Sequence, residues 1–296
     1  MDKNKQILIA GDVILDRFVI GSINKLSPEA PVPILNCLSR KDLLGGASNV
    51  AYNIKNVDGN PYLVGAIGED ESGKKISELL NQNNINNFLV YSKRQTTTKT
   101  RYCHQIQQVL RVDYEDIDPI EEKTENKILE FTNNINPDLI LISDYNKGTL
   151  TPKIFAALKN KNINIISNIK PYNIQYVQHT FAIIINNKEY EQISYMYKTY
   201  SPQELREILD VDNLIVTKGS SGFSWSNNEN TFEFAAEKTH FVSSVGAGDT
   251  FSAFFALGIV NNQEVIDSLL LANKAAGISV SKHGTSGVER NEIFNE

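Results

Sequence analysis

The segment VGAGDTFSA, residues 245–253, is the most informative part of this sequence of 296 residues. Three small residues, Gly246, Ala247 and Gly248, come directly before an apolar run that predicts a helix over about 248–260. Small residues at a helix N-terminus leave backbone N–H groups accessible, and the helix dipole adds partial positive charge there. The segment therefore predicts a site for an anion, such as a phosphoryl group in transfer.

Asp249 lies in the first turn of this predicted helix, beside the anion site. A carboxylate in that position can accept a proton from an attacking hydroxyl, as an aspartate does in phosphoryl transfer. An aspartate is also favoured at any helix N-terminus by the helix dipole. Taken alone, the segment supports a catalytic base and an ordinary helix start about equally, so the rest of the chain has to decide between them.

Short apolar runs alternate with helix-length amphipathic segments along most of the chain, which predicts an α/β fold with a mainly parallel sheet. No linker rich in Pro, Gly or Ser divides the sequence, so we expect one domain over 1–296. The predicted strands are 7–10, 62–67, 139–143, 163–167, 182–185 and 214–217. The predicted helices are 46–57, 72–82, 248–260 and 263–282.

Two pairs of segments do not fit this alternation. Residues 18–20 with 32–38, and 99–105 with 108–113, alternate as strands, and the second pair predicts a hairpin turning near 106–107. We expect them to form a small sheet that stands off the main domain as a lid over a cleft. An exposed sheet face invites pairing with a second subunit. An edge extension without a function is the alternative that the sequence leaves open.

Composition and charge exclude several classes of protein. A net charge of −6 argues against a broad surface for nucleic acid. No segment approaches the ~20 apolar residues of a membrane span, and the N-terminus lacks the apolar core of a signal peptide. Cys37 and Cys103 have no metal-ligand spacing, so we expect two reduced thiols on strands. Together these features predict a cytoplasmic protein.

Polar residues and glycines follow several of the predicted strands. Open α/β sheets bind ligands at the carboxyl ends of their strands, where carboxylates can accept hydrogen bonds from sugar hydroxyls and a lysine can contact a phosphate. A single glycine turn after a strand is usually structural, but the recurrence favours a shared cleft. The residues in question are Asp12, Asp16, Gly45, Gly46, Asn49, Asp144 and Lys147.

Five motifs follow one another along the chain: Gly11-Asp12 with Asp16, Gly45-Gly46-Ala47 with Asn49, Asn186 with Glu189, Thr217-Lys218-Gly219 with Gly222, and Gly246-Ala247-Gly248-Asp249. In this order they resemble the signatures of the PfkB/ribokinase family. The resemblance implies a ribokinase-like three-layer α/β fold with a small β-sheet lid from about 17–39 and 98–113, and an ATP-dependent carbohydrate kinase that uses Mg²⁺. In this family the lid often doubles as a dimer interface.

Four further segments resemble the kinase domain of the D-glycero-β-D-manno-heptose-7-phosphate kinases. They are SPEAPVP at 27–33, LRVD at 110–113, SDYNKG at 143–148 and GTS at 284–286. The resemblance implies phosphorylation of the anomeric hydroxyl of heptose 7-phosphate to the 1,7-bisphosphate, a precursor of the ADP-heptose of lipopolysaccharide. Many such enzymes carry a C-terminal nucleotidyltransferase. Because this sequence ends at Glu296, we expect none here.

The resemblance also implies a role for each matched position. Asp249 would be the base, and the N–H groups of Gly246 to Gly248 the anion hole. Asp12, Asp16, Gly45, Gly46 and Asn49 would hold the sugar, while Arg111, Asp144, Lys147 and Lys170 would face the sugar or its distal phosphate. Glu189 would bind the metal through water. The nucleotide would contact Asn186, Glu189, Thr217, Lys218, Gly219, Gly222 and Asn273.

Three positions depart from the family pattern. Ser243 and Val245 replace the aspartate and threonine of D-x-T-G-A-G-D, and Asn168 replaces the aspartate of Asp-Pro-Lys while Lys170 is retained. In relatives that bind a monovalent cation, the aspartate at the Ser243 position is a ligand, so the sequence argues against potassium activation. We expect an active kinase. A kinase for a different sugar phosphate or nucleoside, or a binding-only relative, are the alternatives.

Overall fold

The computed structural model describes residues 4–294 of the chain. The thirteen strands in this range are β1 (Gln6–Gly11), β2 (Val13–Leu26), β3 (Pro33–Gly46), β4 (Asn60–Gly68), β5 (Asn86–Ser92), β6 (Thr98–His104), β7 (Gln107–Tyr114), β8 (Leu139–Ser143), β9 (Ile165–Asn168), β10 (Ala182–Asn186), β11 (Asn213–Thr217), β12 (Phe223–Ser226) and β13 (Thr231–Phe234). The nine α-helices in the same range are α1 (Ala47–Asn56), α2 (Glu71–Gln82), α3 (Glu122–Asn134), α4 (Pro152–Lys159), α5 (Asn187–Tyr197), α6 (Pro202–Leu209), α7 (Ala247–Val260), α8 (Val265–Val280) and α9 (Arg290–Ile293).

A nine-stranded sheet forms the middle layer, in the order β13-β12-β11-β10-β9-β8-β1-β4-β5. The strands from β11 to β5 are parallel to their neighbours, and the β11–β12–β13 edge is antiparallel. Side chains alternate across β1: Ile7 and Ile9 join the core with α1, α2, α7 and α8, whereas Leu8 and Ala10 join the core with α3 to α6. Because both faces of the sheet are covered by helices, the predicted three-layer α/β fold is confirmed.

The central parallel strands end at one edge of the sheet and bring the predicted site segments together there. Gly11 at the end of β1 pairs with Ser143 at the end of β8, and Ser143 in turn pairs with Asn168 at the end of β9. A Cβ atom at Gly11 would lie 2.1 Å from the Ser143 carbonyl oxygen, so this close approach requires glycine. The ends of β10 and β11 continue the same edge.

The lid is a separate four-stranded sheet in the order β3-β2-β6-β7. Its β2 and β3 are longer than predicted, because both strands run down into the main domain, where residues 13–15 and 44–46 are buried. Only Asp12 separates β1 from β2, and β3 leads directly into α1. The prediction that the two pairs of segments, 18–20 with 32–38 and 99–105 with 108–113, form one small sheet is confirmed. The lid is therefore connected to the predicted site through Asp12 and through the start of α1.

Several elements were placed inaccurately or not at all by the sequence. The strand expected at 163–167 is 165–168, and the helix expected at 263–282 is 265–280. The strands β5, β12 and β13 were not predicted, and β5 begins inside the Asn-rich stretch at 81–87. As predicted, Cys37 and Cys103 are free thiols on lid strands. Within residues 4–294, every helix is too short or too polar to cross a membrane.

Candidate active site

The start of α7 has the geometry of an anion site. Gly246, the residue before the helix, has a φ of +83°, and a Cβ atom there would lie 2.8 Å from the Asn49 side-chain nitrogen. At Gly248 a Cβ atom would meet no heavy atom within 4 Å, so space is open beside the first turn. The first N–H groups of a helix have no partner inside it. An anion placed in this space would therefore meet the positive end of the helix dipole. The Ala247 N–H donates to the Ser244 carbonyl at 3.3 Å and would have to turn from it to contact such an anion.

Asp249 is 3% exposed and is held by a hydrogen-bond donor on each carboxylate oxygen. The Asn49 amide nitrogen donates to Oδ2 at 2.9 Å, and the Tyr145 hydroxyl donates to Oδ1 at 2.5 Å. Burial raises the pKa of Asp249 to about 6, although both hydrogen bonds oppose the shift. A carboxyl group with this pKa is mostly ionised at neutral pH and close enough to titration to act as a general base.

Asn49 is fixed in orientation by the helix that carries it. The Asn53 amide donates to Asn49 Oδ1 at 3.1 Å, and the Val288 N–H donates to Asn53 Oδ1 at 3.2 Å. Because Asn49 Oδ1 accepts a hydrogen bond there, its amide nitrogen faces Asp249. The chain entering α1 is equally constrained, since Gly46 has a φ of +56° and a Cβ atom at Gly45 would lie 2.4 Å from Asp16 Oδ2.

Asp16 forms an ion pair with Arg101, a residue that the sequence did not single out. Both side chains are buried, and Arg101 also lies 5.2 Å above the ring of Phe18. Burial raises the pKa of Asp16, while the Arg101 guanidinium opposes the shift. The strand alternation of 99–105 could have indicated that Arg101 shares a face with Lys99. Its pairing with Asp16, however, depends on the parallel register of β2 and β6.

Asp12 shapes the loop that follows β8. Its Oδ2 accepts from the N–H groups of Tyr145 at 2.8 Å and Lys147 at 3.0 Å, and its Oδ1 accepts from the N–H group of Thr149 at 3.2 Å. Arg94 adds hydrogen bonds from its guanidinium to the Lys147 carbonyl and, at 2.8 Å, to the Asp118 carbonyl. The contacts of Asp12 are those of a residue that builds the loop, and its contact with sugar stays a prediction.

Asp144 is the second carboxylate that organises this edge. It accepts from the N–H groups of Asn146 at 2.9 Å and Lys170 at 3.0 Å, and from the Asn173 amide at 3.1 Å. Burial, and then the neighbouring charge of Asp12, raise the pKa of Asp144 to about 6. Asp144 thus links the loops after β8 and β9, and its predicted role toward the substrate also stays a prediction.

Charged residues cover the face of the lid that bears Asp16. Arg111 on β7 lies directly opposite Arg101, and its guanidinium donates to Asp113 at 2.9 Å. Lys99 also pairs with Asp113, at 3.1 Å. Lys147 pairs at 2.8 Å with Glu115. The four cations Lys99, Arg101, Arg111 and Lys147 thus lie close to three carboxylates, Asp16, Asp113 and Glu115, which balance part of their charge.

Glu189, in the first turn of α5, and Lys170, after β9, form an ion pair. Glu189 also closes a capping box, because its Oε2 accepts from the Asn186 N–H at 2.8 Å and its own N–H donates to Asn186 Oδ1 at 3.0 Å. Lys170 lies 5.2 Å above the ring of Tyr145. A chain of contacts therefore joins the first turn of α5 to Asp249.

A divalent metal fits this donor set only if the nucleotide supplies most of the ligands. Within residues 4–294, no cluster of three His, Cys, Asp or Glu side chains could hold a metal. Mg²⁺ is often bound through one or two carboxylates together with substrate phosphates and water. Glu189 offers one carboxylate; because Oε1 is paired with Lys170 and Oε2 accepts from the Asn186 N–H, it would meet a metal through water.

The predicted nucleotide residues lie along the β10–β11 edge and on α8. Asn186 and Thr217 are paired at the ends of their strands. Gly222 has a φ of +94°, and a Cβ atom there would lie 1.9 Å from the Phe234 carbonyl, so the turn requires glycine. Lys218 forms an ion pair with Glu233 at 2.7 Å, and the Asn273 amide donates a hydrogen bond to the Ala235 carbonyl at 2.9 Å. A Cβ atom at Gly219 would meet no heavy atom within 4 Å, so space is open there.

The departures from the family pattern are satisfied within the protein. The Asn168 amide donates to Ser252 Oγ at 3.4 Å, and Ser243 Oγ accepts from the Val245 N–H at 3.3 Å. In the adjoining loop, the Lys282 ammonium donates to the Gly287 carbonyl at 2.9 Å. A neutral serine that already accepts a hydrogen bond does not fit a potassium ion that needs a carboxylate ligand.

Comparison with known proteins places the chain in a family. The pfkB family carbohydrate kinase profile matches residues 18–291. The chain is 34% identical to the bifunctional protein HldE of Hyphomonas neptunium and 32% identical to that of Pasteurella multocida, over 98% and 99% of its length. It spans 63% of the length of each of these relatives.

Solved structures show the same fold. Phosphofructokinase-2 from Escherichia coli in complex with potassium superposes with a TM-score of 0.82 at 17% identity, covering 98% of this chain and 96% of the other. Ribokinase from Thermotoga maritima superposes with a TM-score of 0.74 at 18% identity, covering 97% of each chain. The chain belongs to the pfkB family of carbohydrate kinases, and it is an ATP-dependent sugar kinase.

Proposed function

We propose that this kinase phosphorylates the anomeric hydroxyl of a heptose 7-phosphate to give the 1,7-bisphosphate. The observation that carries the proposal is the excess of positive charge near Asp16, where the four cations outnumber the three carboxylates Asp16, Asp113 and Glu115. Lys99, Arg101 and Arg111 share one face by strand register, and Arg101 reaches Asp16 on the acceptor side. An acceptor without a phosphate would have no need of so many cations. The similarity to the HldE proteins over 98% of the chain supports the same acceptor.

The proposed reaction transfers one phosphoryl group from ATP to the sugar. Asp249 takes the proton of the anomeric hydroxyl as its oxygen bonds to the γ-phosphorus. The bond from that phosphorus to the β–γ bridging oxygen breaks, and ADP leaves with the electron pair. The N–H groups of Gly246, Ala247 and Gly248 stabilise the charge that develops on the transferred group.

Glu189, Lys170 and residues near the ends of β10 and β11 would place ATP for this transfer. A divalent metal, held by the phosphates and through water by Glu189, would supply charge neutralisation when bound. Lys170 lies between Glu189 and Tyr145. Its ammonium would therefore stabilise the negative charge of the phosphoryl group during transfer from the nucleotide to the acceptor. Thr217, Lys218, Gly219, Gly222 and Asn273 would line the rest of the nucleotide.

An acceptor panel tests this function. Purified protein with ATP and Mg²⁺ is assayed for ADP release with synthetic heptose 7-phosphate, fructose 6-phosphate, ribose and nucleosides. We expect the highest kcat/KM with heptose 7-phosphate and no activity above background for Asp249→Asn. A clear preference for an unphosphorylated acceptor would contradict the proposed distal-phosphate site. Nucleotide binding without transfer to any acceptor would favour a binding-only protein.

Asn168 favours a second candidate, a kinase for a different sugar phosphate. It stands where the heptose kinases have an aspartate, and its amide is turned toward Ser252. The same panel separates the two candidates. Preference for fructose 6-phosphate or another phosphosugar, with Asn168→Asp raising the relative activity on heptose 7-phosphate, would support the second candidate.

We also propose a homodimer through the lid, in a cytoplasmic enzyme with access to ATP. Leu110 is 55% exposed and lies on the lid face opposite Arg111, together with the cross-strand neighbour Tyr102. Leu38 and Ile106 add exposed apolar surface on the same small sheet. Sedimentation of Leu110→Asp should give a monomer, whereas Ile208→Asp, on α6 away from the lid, should leave the assembly unchanged. A monomeric wild-type protein would contradict the proposal.

A further inference from the structure

The hydrogen bond from the Tyr145 hydroxyl to Asp249 is not explained by any role assigned so far. Tyr145 follows Asp144 in the loop after β8, and its oxygen lies 2.5 Å from Asp249 Oδ1, on the side away from Asn49. We propose that Tyr145 is a positioning residue for the base. Its hydroxyl and the Asn49 amide hold the buried carboxylate from both sides, in one orientation and in its ionised form. This inference rests on the proposed role of Asp249.

The loop around Tyr145 is built to be rigid. The Tyr145 N–H donates to Asp12 Oδ2 at 2.8 Å, and two later N–H groups of the loop donate to the same carboxylate. The Arg94 guanidinium donates a hydrogen bond to the Lys147 carbonyl. A Cβ atom at Gly148 would lie 2.0 Å from the Asp118 carbonyl oxygen, so the loop packs tightly against the segment around Asp118. A hydroxyl carried by such a loop is pre-organised, and it can fix the carboxylate before the sugar binds.

The charges around the base make a second donor necessary. Asp16, from the lid strand β2, disfavours the ionised form of Asp249, and Lys170, after β9, favours it. The helix α1 contributes only the neutral Asn49 amide to the carboxylate. The loop after β8 contributes the Tyr145 hydroxyl, so hydrogen bonds offset much of the cost of burying this charge.

Tyr145 itself serves only as a donor. Burial, together with the charge of Asp249, raises the pKa of the Tyr145 hydroxyl well above its ordinary value, so it stays protonated at every working pH. The Lys170 ammonium, 5.2 Å above the ring, holds the ring in place through a cation–π contact. The phenol therefore cannot compete with Asp249 as the base, and the acceptor hydroxyl uses a remaining lone pair of the carboxylate.

The test compares wild type with Tyr145→Phe, which keeps the ring and removes the hydroxyl. The first measurement needs no activity: the Asp249 carboxyl is titrated by ¹³C NMR in protein labelled at Asp Cγ, and its resonance is assigned by its loss in Asp249→Asn. In Tyr145→Phe we expect the Asp249 pKa to rise by about one unit, since a hydrogen bond to a charged group corresponds to about that shift. An unchanged pKa would overturn the proposal.

The second measurement is the pH dependence of kcat/KM with whichever acceptor the wild type phosphorylates. The acid limb should move from near pH 6 toward pH 7 in Tyr145→Phe, and much of the lost activity should return above pH 8. A uniform loss at all pH values, with the limb unmoved, would indicate a merely structural role. Tyr62→Phe, remote from the site, is the control for removing a phenol hydroxyl. A wild type without any acceptor would contradict the proposed function, while the NMR titration would still decide the role of Tyr145.

Discussion

Lys170 and Glu189 form an ion pair that joins the loop after β9 to the first turn of α5. Lys170 follows β9 and is tied by its N–H to Asp144, whereas Glu189 lies in the first turn of α5 and is tied to Asn186. In the proposed reaction, this pair would place a cation beside the transferred phosphoryl group and a carboxylate beside the nucleotide. Each partner compensates the charge of the other before substrates bind.

Replacing Lys170 by methionine should remove that cation and leave Glu189 without it. We expect kcat to fall about 100-fold or more, because a charged contact in the transition state is lost, and the KM for ATP to rise. Lys153→Met is a control: it breaks a lysine–glutamate pair at 2.9 Å between Lys153 on α4 and Glu125 on α3, and the glutamate side chain is 9% exposed in both pairs. Steady-state kinetics of both variants test the role, and equal effects would contradict it.

Replacing Asp249 by asparagine should abolish turnover without abolishing binding. Loss of a general base costs about 10²- to 10⁴-fold in rate, whereas the sugar site formed around Asp16 stays in place. Coupled ADP release measures the rate, and calorimetry measures the affinity for the sugar phosphate. Residual activity close to that of the wild type would show that another group takes the proton.

The same variant should be more stable than the wild type at neutral pH. Burial raises the pKa of Asp249 to about 6 in the folded protein, so its contribution to stability is complete below the unfolded value and is lost as pH rises through 6. We expect Asp249→Asn to gain about 1 kcal/mol at pH 7, after allowing for weakened hydrogen bonds. Urea unfolding at pH 7 and pH 5 tests this, and the gain should nearly vanish at pH 5.

Arg101→Met should destabilise the protein in a pH-dependent way. The substitution leaves the buried Asp16 without its ion-pair partner, which costs about 3–5 kcal/mol when both charges are buried. Because burial raises the pKa of Asp16, the penalty should be small at low pH, where the carboxyl is protonated, and grow as the pH rises. Thermal unfolding between pH 4 and pH 8 measures it. Lys5→Met, which removes an exposed pair with Asp138, should change stability little at any pH.

The sequence predicted the parallel α/β core because buried central strands such as β8 are continuous apolar runs. It missed β5 and β13, which are the two edge strands of the large sheet and have exposed or half-buried residues that interrupt the apolar pattern. The start of α7, with Asp249 in its first turn, was predictable because it is a local feature of the sequence. Edge strands depend on pairing with neighbours that the local pattern does not reveal.

Contacts between distant residues were the part of the site that the sequence could not supply. Tyr145 stands inside a motif that was recognised, yet its direction toward Asp249 depends on a loop conformation held by Asp12. Arg101 was passed over because its partner, Asp16, is fixed by the register of two lid strands. In both cases the hydrogen-bond or ion-pair partner of a buried carboxylate is determined by tertiary contacts between residues far apart in the sequence.

Potassium should have little effect on this kinase. Ser243 stands where relatives that bind a monovalent cation have a carboxylate, and its hydroxyl already accepts from the Val245 N–H. The adjoining loop is instead held by the Lys282 ammonium on the Gly287 carbonyl, a contact that needs no added ion. We expect kcat/KM to be the same in potassium and in sodium at equal ionic strength. Ser243→Asp tests the reason: restoring the carboxylate should introduce a preference for potassium, and a wild type already activated by potassium would contradict the interpretation of Ser243.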